Sequence, residues 1–124
     1  MKRGVAACAL LMVVAGCNPP PDCQGGELFT VNETGTCSGT PTQFRLGRTG
    51  CRVRLDMLAG RTGLPDTGQV DTSERPLRQG GFELFGGTPF RVCRAERVDY
   101  FLRLSCVDGS GAPVCEARLT EPAD

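Results

Sequence analysis

The chain has 124 residues, with 14 basic and 14 acidic side chains, and therefore no formal net charge. Proteins that bind nucleic acids usually carry a basic excess, so this balance predicts that nucleic acid is not a partner. The chain also lacks histidine, which is the commonest general base in enzymes and a main zinc ligand.

The first residues combine a positive start with an apolar run. Lys2 and Arg3 precede the uncharged, apolar residues 5–15, and Cys17 follows two small residues. A run of about 11 apolar residues is too short to span about 30 Å of hydrocarbon and is typical of a secretory signal peptide. The segment therefore predicts export from the cytoplasm.

The stretch Val14-Ala15-Gly16-Cys17 resembles the lipobox of bacterial lipoproteins. The resemblance implies that residues 1–16 are removed and that Cys17 receives a diacylglycerol and an N-acyl lipid, with no other cofactor expected. Two or three acyl chains make membrane attachment durable. In the same family Asn18, in place of aspartate, favours the outer membrane where the host has one. The alternative is an ordinary signal peptide with Cys17 in a disulfide.

Residues 17–26 are predicted to be a tether, because they include three consecutive prolines that favour an extended polyproline II conformation. Residues 27–124 then have the length of one small domain.

Six cysteines remain after the signal peptide and Cys17. They are Cys23, Cys37, Cys51, Cys93, Cys106 and Cys115. An even number in a short exported chain predicts disulfides, with 15 connectivities that the sequence alone does not resolve. Neither a C-x-x-C pair nor a histidine is present, so the sequence predicts no metal site.

Short segments with alternating apolar and polar residues predict strands. Residues 27–31 are the first strand candidate, ended by the turn-rich residues 32–35. The clearest hairpin folds about a loop at residues 47–50, which sets Leu46 opposite Cys51 on the buried face.

Two further hairpins follow. The first, with a loop at residues 85–89, sets Glu83 opposite Arg91 on the outer face. The second sets Cys106 opposite Cys115, and a Cys106–Cys115 bridge is the favoured connectivity. With no helical pattern, the chain is predicted to be all-β, a small antiparallel β-sandwich or barrel of about seven short strands held by disulfides.

Residues 59–81 are rich in glycine, proline and polar side chains, and they predict a long irregular surface loop. Loops of this length are uncommon unless they are functional or mobile. The segment is therefore a candidate for the inserting loop of an inhibitor of exported proteases.

Four arginines are candidate binding residues on the outer face of the sheet: Arg52, Arg54, Arg91 and Arg94. They are suited to contact an anionic envelope polymer, an envelope protein or lipid phosphate. The alternative is a ladder of arginines and carboxylates that keeps the surface soluble.

The sequence favours a lipid-anchored cell-envelope protein with a binding or structural β-domain and no catalytic activity. An inhibitor of exported proteases is the alternative. A hydrolase that uses carboxylate pairs, such as Glu96 with Asp99 or Glu83 with Glu116, is a third reading. Membrane lipid, through the anchor, is the one partner that the sequence indicates directly.

Overall fold

The computed structural model describes residues 25–71 and 75–123. In this part of the chain eight antiparallel strands pair in chain order and close into a barrel. The strands are β1 (Gly26–Gly35), β2 (Thr42–Thr49), β3 (Arg52–Ala59), β4 (Thr67–Val70), β5 (Gly80–Gly86), β6 (Arg91–Val98), β7 (Phe101–Asp108) and β8 (Pro113–Thr120). The predicted all-β fold is confirmed, and it is a barrel with eight strands rather than about seven.

Side chains fill the interior of the barrel. Every second residue of β2, from Thr42 through Phe44 to Leu46, is buried, and the residues between them are not. Eight strands enclose a space just wide enough for such side chains. The largest fully buried apolar side chains are Phe44, Leu46, Leu77, Phe82, Leu84, Leu102, Leu104 and Leu119.

Residues 59–81 are not irregular throughout, as the sequence predicted, because they contain β4 and a 3-10 turn at Leu77–Gln79. Val70 and Leu77 are buried in the core. Gly68 lies so close to β5 that a Cβ atom would collide with the Glu83 carbonyl oxygen. The glycine that permits this strand pairing also hides the strand in the sequence, since glycine is a typical loop residue.

The barrel has two mouths. The N-terminal mouth lies where β1 begins and includes the β2–β3 turn and Leu77–Gln79. The disulfide mouth lies at the opposite end, with the connections at residues 36–41, 60–66, 87–90 and 109–112. The 3-10 turn caps the N-terminal mouth, because the Leu77 N–H donates to the Glu27 carboxylate at 3.0 Å and Arg97 donates to the Arg78 carbonyl at 3.0 Å.

The predicted register of β2 and β3 is wrong. Leu46 lies opposite Leu55 rather than Cys51, because the strands are joined by a two-residue turn at Gly50 and Cys51. Gly50 has a φ of +63°, which two-residue hairpin turns favour. Residues 47–49, predicted as loop, therefore belong to β2.

The predicted register of β5 and β6 is also wrong. Glu83 lies opposite Arg94 instead of Arg91, and Leu84 lies opposite Cys93. The turn ends later than predicted, so Phe90 lies in it and is 49% exposed. Cys93 therefore takes an inward position and is fully buried.

The predicted register of β7 and β8 is confirmed, since Cys106 and Cys115 are directly opposite each other. The predicted bridge between them is nevertheless wrong. Cys106 is bonded to Cys93 on the other neighbouring strand, and Cys115 is bonded to Cys37 from the β1–β2 connection. Cys106 has a cysteine opposite it on both sides, so register alone does not determine its partner.

Candidate functional site

A charged pair lies at the N-terminal mouth. Glu27 of β1 and Arg48 of β2 are opposite each other, and their side chains are 19% and 8% exposed. Arg48 Nε lies 3.8 Å from Glu27 Oε2, while the same carboxylate accepts the Leu77 N–H. Glu27 is thus shared between a loose ion pair and the cap of the 3-10 turn.

Arg48 has hydrogen-bonding capacity that the described residues do not use. Its Nε and Nη1 atoms are buried and have no hydrogen-bond partner. An unpaired buried donor costs about 1–3 kcal/mol, and more when the group is charged. Arg48 thus holds two unused hydrogen-bond donors inside the N-terminal mouth, on a side chain that is nine-tenths buried.

Arg48 lines a depression of about 920 Å³, which also includes Arg52 and Arg54 of β3. We call this the arginine depression. Its acidic lining residues are Glu27 and Asp56. Glu27 is engaged as described, and Asp56 is 3.3 Å from Arg54 in an exposed pair that contributes little. The lining has three cations and two anions, with Arg48 on the inner face of the barrel and Arg52 and Arg54 on the outer face.

Apolar side chains border the same depression. Leu28 is 62% exposed and, with Phe85 of β5, belongs to the lining. Leu28 lies opposite Gly47, where a Cβ atom would approach the Leu28 side chain to 3.1 Å. Gly47 therefore leaves room for the Leu28 side chain. On its other side Gly47 lies opposite Arg54 of β3.

The four arginines predicted as binding residues do not form one site. Arg52 and Arg54 line the arginine depression. Arg94, 77% exposed, pairs with Glu83 at 3.4 Å. Arg91 Nη1 donates to the Gly63 carbonyl at 3.0 Å and lies 3.9 Å from Cys115 Sγ, at the disulfide mouth.

Arg48 was missed by the sequence analysis. It continues the inward alternation of Phe44 and Leu46 by one more step. That alternation could have predicted an inward-facing Arg48. The predicted loop at residues 47–50 ended the strand too early and concealed it.

Part of the outer face is a ladder of arginines and carboxylates. Arg103 hydrogen-bonds Glu96, and this hydrogen bond and the charge of Glu96 raise the pKa of Arg103. Arg94 and Glu83 form a second such pair. Glu83 and Glu96, two of the carboxylates considered for hydrolysis, therefore have arginine partners.

A second buried charged residue lies near the disulfide mouth. Glu33 is fully buried because β1 continues through residues 32–35, which the sequence predicted as a turn. Its Oε1 atom accepts a hydrogen bond of 2.8 Å from the Thr42 hydroxyl, and Oε2 has no partner.

The described cysteines are disulfide-bonded. Cys37 pairs with Cys115 and Cys93 with Cys106, and Cys51 is also in a disulfide. The predicted lipid site Cys17 and the sixth disulfide candidate, Cys23, lie outside the described residues.

No family model matches the sequence, and no curated protein and no solved structure is significantly similar to it. Over residues 25–71 and 75–123, none of the helical segments has the length and apolar character needed to cross a membrane.

Proposed function

We propose that this protein is a lipid-anchored envelope protein whose barrel binds the phosphate of an anionic lipid headgroup in the arginine depression, without catalysing a reaction. The observation that carries the proposal is Arg48, a nine-tenths buried guanidinium with two unpaired nitrogens in the lining of that depression. Arginine guanidinium groups bind phosphate with several hydrogen bonds at once.

The position of the depression supports a membrane ligand. It borders the N-terminal mouth, where the described chain begins at Gly25. Eight residue steps separate Gly25 from the predicted lipid site Cys17, so a fully extended chain reaches about 28 Å. An anchored barrel is thereby kept within reach of the headgroups, and the exposed Leu28 suits the apolar side of that interface.

The alternative, an inhibitor of exported proteases, has less support. Its proposed inserting segment, residues 59–81, contributes β4 to the barrel wall and buries Leu64, Val70 and Leu77. A segment with three buried anchors has little freedom to enter the cleft of a protease.

Vesicle binding tests the proposal. The chain from residue 17, carrying Cys17→Ser so that no lipid is attached, is mixed with vesicles of phosphatidylcholine or of phosphatidylcholine with about one third phosphatidylglycerol. We expect binding only to the anionic vesicles. Arg52→Gln and Arg54→Gln should each weaken it roughly fivefold, since one arginine contributes about 1 kcal/mol near an anionic surface.

Arg94→Gln is the matched control, because Arg94 is as exposed as Arg54 but lies outside the arginine depression. Equal losses for Arg94→Gln and Arg54→Gln would show charge attraction without a site and contradict the proposal. Binding to soluble polyphosphate but not to vesicles would assign an anionic polymer instead, and would likewise overturn the lipid ligand.

A further inference from the structure

Four sulfur atoms from two disulfides lie together near the disulfide mouth. Cys93, Cys106 and Cys115 occupy directly opposed positions on β6, β7 and β8. Cys37 Sγ, from the β1–β2 connection, lies 3.7 Å from Cys106 Sγ. The sulfur atoms of Cys37, Cys106 and Cys115 are all within 4.8 Å of one another. Each disulfide therefore has a sulfur of the other within reach of an exchange reaction.

The two bridges differ in access to solvent. Cys115 is half-buried, whereas Cys93 and Cys106 are 0% and 2% exposed. An external thiolate thus reaches the Cys37–Cys115 bridge first, at Cys115. Disulfides exchange by attack of a thiolate on one sulfur and departure of the other, so access decides which bridge reacts.

Arg91 provides a cation at the accessible sulfur. Its Nη1 atom lies 3.9 Å from Cys115 Sγ and is held by the Gly63 carbonyl at 3.0 Å. A neighbouring arginine favours the thiolate form of a cysteine and so makes it a better leaving group. This gives a role to one of the four arginines that the sequence predicted as binding residues.

We propose that the disulfide mouth is a thiol–disulfide exchange site, in which a dithiol reduces Cys37–Cys115 and the remaining disulfide then moves from Cys93–Cys106 to Cys37–Cys106. The partner is defined by its chemistry, as a dithiol small molecule or a protein with a dithiol pair. The proposal is independent of the lipid-binding proposal, since it concerns the opposite mouth.

The first stage is the reduction of Cys37–Cys115 by the dithiol. One thiolate of the dithiol attacks Cys115 Sγ, the Cys37–Cys115 bond breaks, and Cys37 leaves as a thiolate. The second thiol of the dithiol loses its proton and closes onto the mixed disulfide, which releases Cys115 as a thiolate beside Arg91. The dithiol is thereby oxidised by two electrons, and one protein disulfide is reduced.

The second stage involves no external reagent. The Cys37 thiolate attacks Cys106 Sγ, a Cys37–Cys106 bond forms, and Cys93 leaves with the electron pair of the Cys93–Cys106 bond. Cys93 then takes up a proton. The product has one disulfide among the four cysteines and thiols at Cys93 and Cys115.

Limited reduction tests the proposal on the mature chain. The folded protein is treated with one equivalent of dithiothreitol and quenched with acid at a series of times, which protonates the thiols and stops exchange. It is then unfolded with guanidinium at mildly acidic pH, alkylated with N-ethylmaleimide, and mapped by peptide mass spectrometry without further reduction. We expect alkylated Cys93 and Cys115 together with a peptide that links Cys37 to Cys106.

Three results would overturn the proposal. The first is alkylation of Cys37 and Cys115 with Cys93–Cys106 intact at every time. The second is a link between Cys106 and Cys115, which would mean attack by the wrong sulfur. The third is no reduction of Cys37–Cys115 while the protein stays folded, as judged by circular dichroism on the same samples.

The role of Arg91 is tested by Arg91→Gln, with Arg61→Gln in the exposed β3–β4 connection as the matched control. We expect the release of Cys115 from its mixed disulfide to slow by roughly threefold or more in Arg91→Gln and to stay unchanged in Arg61→Gln. Equal rates in the two variants would remove Arg91 from the exchange site without affecting the mapped sulfur route.

Discussion

The two mouths of the barrel each contain a buried ionisable residue, but the surroundings of the two residues differ. Strands β1 and β2 bring an ionisable residue inward at each end, Arg48 at the N-terminal mouth and Glu33 near the disulfide mouth. Arg48 lines an open depression, whereas Glu33 is 0% exposed and bonded to Thr42. We therefore expect Arg48 to respond to a ligand in the depression and Glu33 to have a structural role.

The same contrast appears in how the mouths are closed. At the N-terminal mouth the 3-10 turn donates a hydrogen bond to Glu27 and accepts one from Arg97, and Cys51 of the β2–β3 turn is in a disulfide. At the other mouth two disulfides join cysteines that are 78 and 13 residues apart. We therefore expect stability to depend mainly on the disulfide mouth and binding mainly on the N-terminal mouth.

The largest expected effect is the loss of the Cys37–Cys115 bridge. With a separation of 78 residues, the chain-entropy model predicts that Cys37→Ala with Cys115→Ala lowers the free energy of unfolding by about 4.5 kcal/mol. For Cys93→Ala with Cys106→Ala, with a separation of 13 residues, the same model predicts about 2.9 kcal/mol. Urea denaturation of the two double variants measures the difference, and a reversed order would contradict this account.

The next effect concerns Glu33. Thr42→Val keeps the shape of the side chain but removes the hydroxyl that donates to Glu33 Oε1 at 2.8 Å. A buried acceptor that loses its donor costs about 1–3 kcal/mol, so the free energy of unfolding should fall by about 2 kcal/mol. Thr40→Val, in the exposed part of the β1–β2 connection, is the control and should change stability by less than about 0.5 kcal/mol.

At the N-terminal mouth we expect the opposite result, namely that removing the buried charges does not lower stability. Glu27→Gln with Arg48→Met keeps an acceptor for the Leu77 N–H and removes both charges. Replacing a buried ion pair by groups of similar volume is often neutral or stabilising, so we expect the free energy of unfolding to stay the same or rise by roughly 1 kcal/mol. Binding to phosphatidylglycerol vesicles should fall.

The stability and the vesicle binding of this double variant decide whether Arg48 is a binding residue or a structural one. A loss of more than about 2 kcal/mol in the double variant, with vesicle binding intact, would make Arg48 a structural residue like Glu33. The arginine depression would then lose its main support.

The alternation of apolar and polar residues predicted most strands of the barrel. Features that depend on contacts between distant strands, such as β4 and the disulfide partners, were not predicted. The strict alternation around Leu104 and Cys106 gave the correct β7–β8 register. Strand β4 was missed because Gly68, which the close approach of β5 requires, is a typical loop residue.

The candidate site was predicted in part for the same reason. Arg52 and Arg54 were found because they alternate with buried residues of β3. Arg48 was missed because glycines at positions 47 and 50 suggested a loop, whereas the chain turns only at Gly50 and Cys51. The disulfide partners depend on which strands meet in the closed barrel, and no local pattern contains that information.

The smallest expected effect is a pH dependence at the outer edge of the disulfide mouth. Asp108 Oδ1 accepts hydrogen bonds from the Ser110 hydroxyl at 2.7 Å, the Ser110 N–H at 2.9 Å and the Ala112 N–H at 3.0 Å. The bond from the Ser110 side chain, and then the backbone bonds, lower the pKa of Asp108 below its ordinary value of 3.8. Because folding favours the charged carboxylate, its contribution to stability is complete above that ordinary value and is lost as the pH falls through the lower pKa of the folded protein.

Asp108→Asn keeps an oxygen acceptor in the turn but removes the titrating charge. We expect the wild-type protein to be slightly more stable than Asp108→Asn at pH 6, and the difference to shrink as the pH falls below 3.8. Thermal unfolding of both proteins across this range measures the effect. A difference that stayed constant, or grew as the pH fell, would mean that the charge of Asp108 does not hold the β7–β8 turn.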